Sequence, residues 1–283
     1  MTDDFRIDAR KWRFLDDPAK YVALDKAKKA RLQIEPLKRQ FKTAKEILSR
    51  LARGRGALLA DDVGLGKTTI AALVAWVVAC QDKRVRIYAP NEVLQRRWAE
   101  ELERHVTMLR QIGASNDRIK QGDVGKLKAG RIQVTSHYTL VKHHKIGAQR
   151  VGCDLMIIDE AHRAKGEGSA FNEALRSLGG LAARKLILTA TPFSINLSEL
   201  EELLDFVGAS DFDAVRAYAK ALERLYTLGE GHDAEAEAER LVSSARAAIE
   251  ALQPFVIRHG IEDLSSAERK HFGAAASDAW EIT

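Results

Sequence analysis

Cysteine is nearly absent: the 283 residues contain two, Cys80 and Cys153, with no metal-ligand spacing between them. A disulfide framework or a cysteine-based zinc site is therefore not expected, and a reducing compartment suits the chain. Long apolar runs are also missing. The longest, Ile70–Cys80 and Leu155–Ile158, fall well short of the roughly 20 residues that a membrane-spanning helix needs. The first residues, Met1-Thr2-Asp3-Asp4, lack the basic-then-apolar pattern of an export signal, so no secretion and no membrane partner are expected. No repeat recurs at a fixed period. With 46% hydrophobic and 30% charged residues, the composition is that of a globular chain long enough to bury a sizeable core.

The net charge of +5 is unevenly placed, since residues 1–56 hold 16 basic and 8 acidic side chains. Such a segment either meets phosphates or is a solvated helix face with its lysines outward. Residues 1–35 mix Phe5, Trp12, Phe14 and Tyr21 with charge and suggest an arm that packs on something. In residues 40–52, Phe41, Ala44, Ile47, Leu48 and Leu51 recur at helical spacing. Beyond them, apolar runs at Ala57–Ala60, Val85–Ala89, Ile132–Thr135, Leu155–Ile158 and Leu186–Leu188 alternate with helical patterns near 67–80, 91–104 and 169–178. Strands that are apolar throughout and separated by helices predict an α/β fold, a parallel sheet with helices on both faces. After about residue 198 the strand signal stops, and 199–207, 214–226 and 234–252 all read as helices.

Two stretches carry chemistry. Leu58-Leu59-Ala60-Asp61-Asp62-Val63-Gly64-Leu65-Gly66-Lys67-Thr68-Thr69 is an apolar strand running through a glycine-containing loop into a helix. Glycines allow backbone N–H groups to turn toward phosphates, and a helix N-terminus adds partial positive charge. Lys67 would reach the β- and γ-phosphates, and the Thr68 hydroxyl would ligate magnesium. Asp61 stands where phosphate loops generally carry glycine, and a bare strand–turn–helix corner with a surface lysine is the plainer alternative. Downstream, Asp154-Leu155-Met156-Ile157-Ile158-Asp159-Glu160-Ala161-His162 is an apolar strand ending in two carboxylates. The C-terminal end of a parallel strand is where a doubly wound sheet places its ligand. There Asp159 would hold magnesium beside Thr68, and Glu160 would orient or deprotonate the attacking water. Asp-Glu after a strand also serves merely to cap a helix.

Together these residues resemble the DEAH-box proteins of helicase superfamily two. Asp159-Glu160-Ala161-His162 matches the signature that names them, and Asp61-Asp62-Val63-Gly64-Leu65-Gly66-Lys67-Thr68 resembles the nucleotide loop of the Swi/Snf branch, where an acid in place of the first glycine is normal. The resemblance spans roughly residues 36 to 260. It implies a first RecA-like lobe that binds ATP with Mg2+. Gln40 would contact adenine, joining Gly64, Leu65, Gly66, Lys67, Thr68 and Thr69 as nucleotide-binding positions. Ile87-Tyr88-Ala89-Pro90-Asn91 through Trp98, with Arg96, and Val134-Thr135-Ser136-His137-Tyr138 are similar to segments that touch the nucleic-acid backbone, with Pro90, Arg96, Trp98, Thr135 and Tyr138 as the contacts. Leu188-Thr189-Ala190-Thr191-Pro192 looks like the coupling motif, so His162, Thr189 and Thr191 would link hydrolysis to movement. Pro254-Phe255-Val256-Ile257-Arg258 is similar to the segment leading toward the second lobe.

The organisation expected is an arm at 1–35, the RecA-like ATP-binding domain at 36–210, and a helical extension or linker at 211–283 toward a second RecA-like lobe in a longer chain or a separate subunit. No Gln-x-x-Gly-Arg-x-x-Arg-like stretch supplies that lobe's arginines, so the lobe by itself would hydrolyse ATP poorly. The function implied is a cytoplasmic, bacterial-style DNA translocase lobe acting on duplex DNA or on protein bound to it. The alternative is a non-hydrolysing, nucleotide-responsive adaptor that docks on a protein partner.

Overall fold

Stretches that are apolar at nearly every position become strands with both faces covered. A computed structural model describes residues 5–23, 34–122, 127–145, 152–161, 170–189, 197–227 and 234–269. In chain order the strands are β1 (Ala57–Leu59), β2 (Val85–Ala89), β3 (Ile119–Gln121), β4 (Ile132–Ser136), β5 (Cys153–Ile158), β6 (Ala182–Leu188) and β7 (Val256–Ile257). They form one sheet in the order β3-β4-β2-β5-β6-β1-β7, and every described pairing is parallel. Successive side chains go to opposite faces. Ala57, Leu59, Ile87, Ile157 and Leu186 enter one core, whereas Leu58, Tyr88, Met156, Ile158 and Ile187 enter the other.

The helices are α1 (Pro18–Ala23), α2 (Ile34–Ala52), α3 (Lys67–Ala79), α4 (Glu92–Leu109), α5 (His137–Lys145), α6 (Ala170–Gly179), α7 (Leu197–Phe206), α8 (Asp213–Thr227) and α9 (Ala234–Leu252). The first core takes α2, α3 and α4, and the second takes side chains of α5, α6 and α7. Helix α3 is apolar all round and buried from Ile70 to Ala79, as a helix between a sheet and other helices must be. Helix α4 starts where the Asn91 side chain accepts from Leu94 N at 3.0 Å, an N-cap that satisfies one of the orphan donors of its first turn.

One feature departs from the expectations, and two others narrow them. The strand signal does not stop at 198: Val256 and Ile257 pair in parallel with Leu58 and Leu59 of β1. The chain after α9 therefore returns to the sheet rather than remaining purely helical. The aromatic arm is docked, with Phe5, Trp12, Leu15 and Tyr21 buried in the first core. Phe14 and Tyr21 pack on Phe41 of α2 with ring centroids 5.9 and 4.9 Å away. The basic charge of this region is also partly neutralised locally, in the pairs Arg10–Asp8, Lys38–Glu35, Lys45–Asp16 and Arg50–Glu46. That favours the solvated-face reading for Arg10, Lys38 and Lys45, because exposed pairs of this kind are common and weak, whereas Arg50 is largely buried.

Candidate active site

Most candidate groups among the described residues lie at or after the C-terminal end of a strand, so the parallel topology gathers them at one edge of the sheet, while Gln40 comes from α2. The loop after β1 turns through Gly64 and Gly66 at φ 84° and 85°, a left-handed backbone that glycine adopts without strain. Gly66 caps α3, and Ile70 N is the donor that bonds back to Gly66 O at 3.0 Å. The N–H groups of Lys67, Thr68 and Thr69 thus stand in a first turn that has no intrahelical acceptor for them. A side chain at Gly66 would lie 2.2 Å from Gln40 Nε2, so only glycine lets the Gln40 amide settle against the loop.

Lys67 is largely buried and donates from Nζ to Asp61 O at 2.6 Å and Asp62 O at 3.1 Å. Burial lowers its pKa below the usual lysine value, while Glu160, Asp61, Asp159 and Asp62 act in the opposite sense. Asp159 is 6% exposed, and burial pushes its pKa up to about 6, only partly offset by a hydrogen bond from Trp98 Nε1 to Oδ2 at 2.7 Å. Its backbone carbonyl accepts from His137 Nε2 at 2.9 Å, which makes Nε2 the protonated ring nitrogen. Glu160 has φ 50°, an unusual left-handed conformation for a side-chain-bearing residue, of the kind that clusters at active sites. A buried carboxylate such as that of Asp159, with Glu160 next to it, is a hard-oxygen donor that suits Mg2+. The residues present fit that ion.

Three predicted roles change. Trp98 is 1% exposed and spends its indole N–H on Asp159, and Thr135 is fully buried. Neither can touch a nucleic-acid backbone, and Trp98 belongs to the acidic site instead. Thr69 spends its hydroxyl on Glu101 Oε1 at 2.6 Å, which leaves its backbone N–H, not its side chain, as the donor in the first turn of α3. Pro90 is half-buried, while Arg96 and Tyr138 are exposed, Tyr138 at 77%. Thr189 is fully buried, with its N–H bonded to Leu59 O at 3.1 Å. His162 and Thr191 lie outside the described residues. Sequence reasoning missed His137 as a support for Asp159, and it also missed Arg39 and His259. Arg39 Nη1 and His259 Nδ1 reach Asp61 at 3.3 and 2.8 Å.

A parallel RecA-like sheet with a glycine loop and an acidic strand end defines one lobe of a helicase superfamily two ATPase. Residues 39–270 match the SNF2-related domain model, and the chain belongs to that family. It is 28% identical over 218 residues to "DNA repair and recombination protein RAD54" of Oryza sativa subsp. japonica, covering 72% of this chain and 22% of the relative. It is 29% identical over 221 residues to "Helicase SWR1" of Kluyveromyces lactis, covering 71% and 14%. The chain thus spans less than a quarter of either relative's length. Its fold is similar to the Sulfolobus solfataricus SWI2/SNF2 ATPase core in complex with dsDNA, with a TM-score of 0.56 and 21% identity over 80% of this chain and 46% of that one.

Proposed function

We propose that the chain is the ATP-binding lobe of a DNA-dependent translocase, which hydrolyses ATP to move on duplex DNA or to remodel protein bound to it. The observation that carries this reading is the convergence of Lys67 with Asp159 and Glu160 at one edge of the sheet, where the two carboxylates act on the lysine electrostatically. Lys67 releases the loop carbonyls and neutralises phosphate charge, while the turned loop and the first turn of α3 offer N–H donors. Gln40 lies against the loop, where the adenine would come to rest. Thr68 and Asp159 would hold Mg2+, which supplies charge neutralisation on the phosphate oxygens when bound. Glu160 holds the attacking water in line and receives its proton.

Membership of the SNF2-related family supports the assignment, as does a fold similar to an ATPase core solved with duplex DNA. Exposed Arg96 and Tyr138 lie at the same edge as the loop and are the contacts proposed for the DNA backbone. A second RecA-like lobe, in a longer chain or a separate subunit, completes the site with arginines, so this lobe alone turns over slowly. The test is Mg2+-dependent ATP hydrolysis with and without duplex DNA. DNA-stimulated turnover that vanishes in Lys67→Ala and in Glu160→Gln, with nucleotide still bound by Glu160→Gln, is the expected result. Absence of ATP binding by the wild-type chain would overturn the reading.

A further inference from the structure

We propose that Arg39 and His259 are positioning residues that clamp the phosphate loop through Asp61. They thereby tie the shape that receives ATP to the chain segment following β7. The inference rests on the nucleotide reading above and adds residues that no loop motif contains.

Asp61 occupies the position where phosphate loops generally carry glycine, and it is fully buried. A buried carboxylate survives only with donors on its oxygens. Oδ1 accepts from His259 N at 2.9 Å and from His259 Nδ1 at 2.8 Å, and Oδ2 accepts from Arg39 Nη1 at 3.3 Å. Arg39 also donates from Nη2 to Leu65 O at 2.7 Å. One planar guanidinium therefore holds both the first and the last turn of the loop, which a lysine ammonium cannot do from a single point. The third nitrogen, Nε, meets Glu268 Oε1 at 3.2 Å.

The segment after β7 is fastened to the same loop along its backbone. Ala60 N donates to Ile257 O at 2.7 Å, Asp62 N to His259 O at 3.1 Å, and Ile261 N to Asp62 Oδ2 at 3.1 Å. Arg258 lies 3.5 Å from Asp62 Oδ1. On the other side of Asp61, its carbonyl is the acceptor that holds Lys67 Nζ at 2.6 Å. The peptide clamped by Arg39 and His259 is thus the one against which the phosphate-binding lysine is set. Arg39 is also the chain neighbour of Gln40, whose amide rests on Gly66.

The groups facing His259 are Asp61 from the loop, Arg39 from α2 and Asp263 from the following turn, with Glu268 behind Arg39 and the Arg258–Asp62 pair alongside. The hydrogen bond to Asp61 raises the histidine pKa above 6.5, while burial and Arg39 oppose it. The clamp is therefore strongest at low pH and weakens as pH rises through the raised value.

The experiment measures ATP–Mg2+ affinity of the full chain from pH 6 to 8.5, together with hydrogen exchange of the 61–66 amides without nucleotide. His259→Ala and Arg39→Lys should each weaken affinity about tenfold, the scale of one hydrogen bond to a charged group. Exchange should quicken in the loop and not across the central strands. His259→Asn, whose amide can still donate to Asp61, should recover to within about threefold at pH 8. Its deficit against wild type should grow toward pH 6, where only the histidine gains charge; nucleotide protonation cancels in that ratio. Unchanged affinity and unchanged loop exchange, or exchange quickened evenly over the sheet, overturns the clamp. If His259→Ala does not fold, His259→Asn and Arg39→Lys decide the matter. A wild-type chain that binds no nucleotide overturns the proposed function, and loop exchange still decides the clamp.

Discussion

Trp98 Nε1 and Asp159 Oδ2 lie 2.7 Å apart, with Trp98 1% and Asp159 6% exposed, and this contact partly offsets the burial that raises the Asp159 pKa. The indole N–H and the Glu160 backbone N–H both bond this carboxylate, and Mg2+ is proposed to join them there. Trp98→Phe keeps the ring and removes the donor. It should raise the Mg2+ concentration needed for half-maximal nucleotide binding several-fold and cost about 1–3 kcal/mol in urea unfolding. Asp159 is also the reverse of the usual surface carboxylate. Its pKa in the fold, about 6, lies above its ordinary 3.8, so the stability it contributes when protonated is lost as pH rises from about 4 through about 6. Mg2+ with nucleotide should therefore raise the melting temperature strongly at pH 8 and much less below pH 6, as thermal melts across that range would show. The inward position of Trp98 was in fact legible. It lies four residues after Leu94 and four before Leu102, on the apolar stripe of α4, and helical periodicity outweighs a motif resemblance in deciding which way a side chain points.

At the scale of elements, the docked arm reaches the first turn of α3 through a chain of buried and half-buried side chains. Tyr21 OH lies 2.7 Å from His105 Nδ1, His105 Nε2 lies 3.1 Å from Glu101 Oε1, and Thr69 donates to the same oxygen at 2.6 Å. Burial works against ionisation of Glu101, but hydrogen bonds from His105 and Thr69 and the Arg104 charge hold its pKa below the ordinary value. Tyr21→Phe leaves His105 one partner short in the core and should cost about 1–3 kcal/mol, measured by denaturant unfolding, with nucleotide affinity nearly unchanged. The aromatic composition of residues 1–35 signalled packing. Where the arm packs was not legible, because Tyr21 and His105 are 84 residues apart and no local period links them. Strand β7 escaped for a different reason. Two residues cannot display a period of two, and Val256–Ile257 is a strand only because β1 offers it an edge.

Over the whole molecule, the sheet order places β6 between β5 and β1, so the acidic strand end and the glycine loop face each other across one intervening strand. The same edge presents Arg96 and Tyr138, where DNA is proposed to lie. Arg96→Ala should weaken duplex binding for all sequences alike and lower the dependence of log affinity on log salt by about one unit, measured by titration at several salt concentrations. Among the described residues no helix is long and apolar enough to cross a membrane, in keeping with the short apolar runs. The sequence by itself determined the elements and the reactive groups that are local. Apolar runs became parallel strands, the glycines became a left-handed turn, Lys67 opened α3, and Asp159 and Glu160 followed β5, since each depends on residues within a few positions. Only the tertiary structure decided what surrounds them. Trp98 and Thr135 turn inward, the arm docks, and His259 reaches Asp61 across 198 residues. Those outcomes depend on which faces are left to bury and which buried charge still needs a donor, and neither is settled until the sheet has closed over its cores.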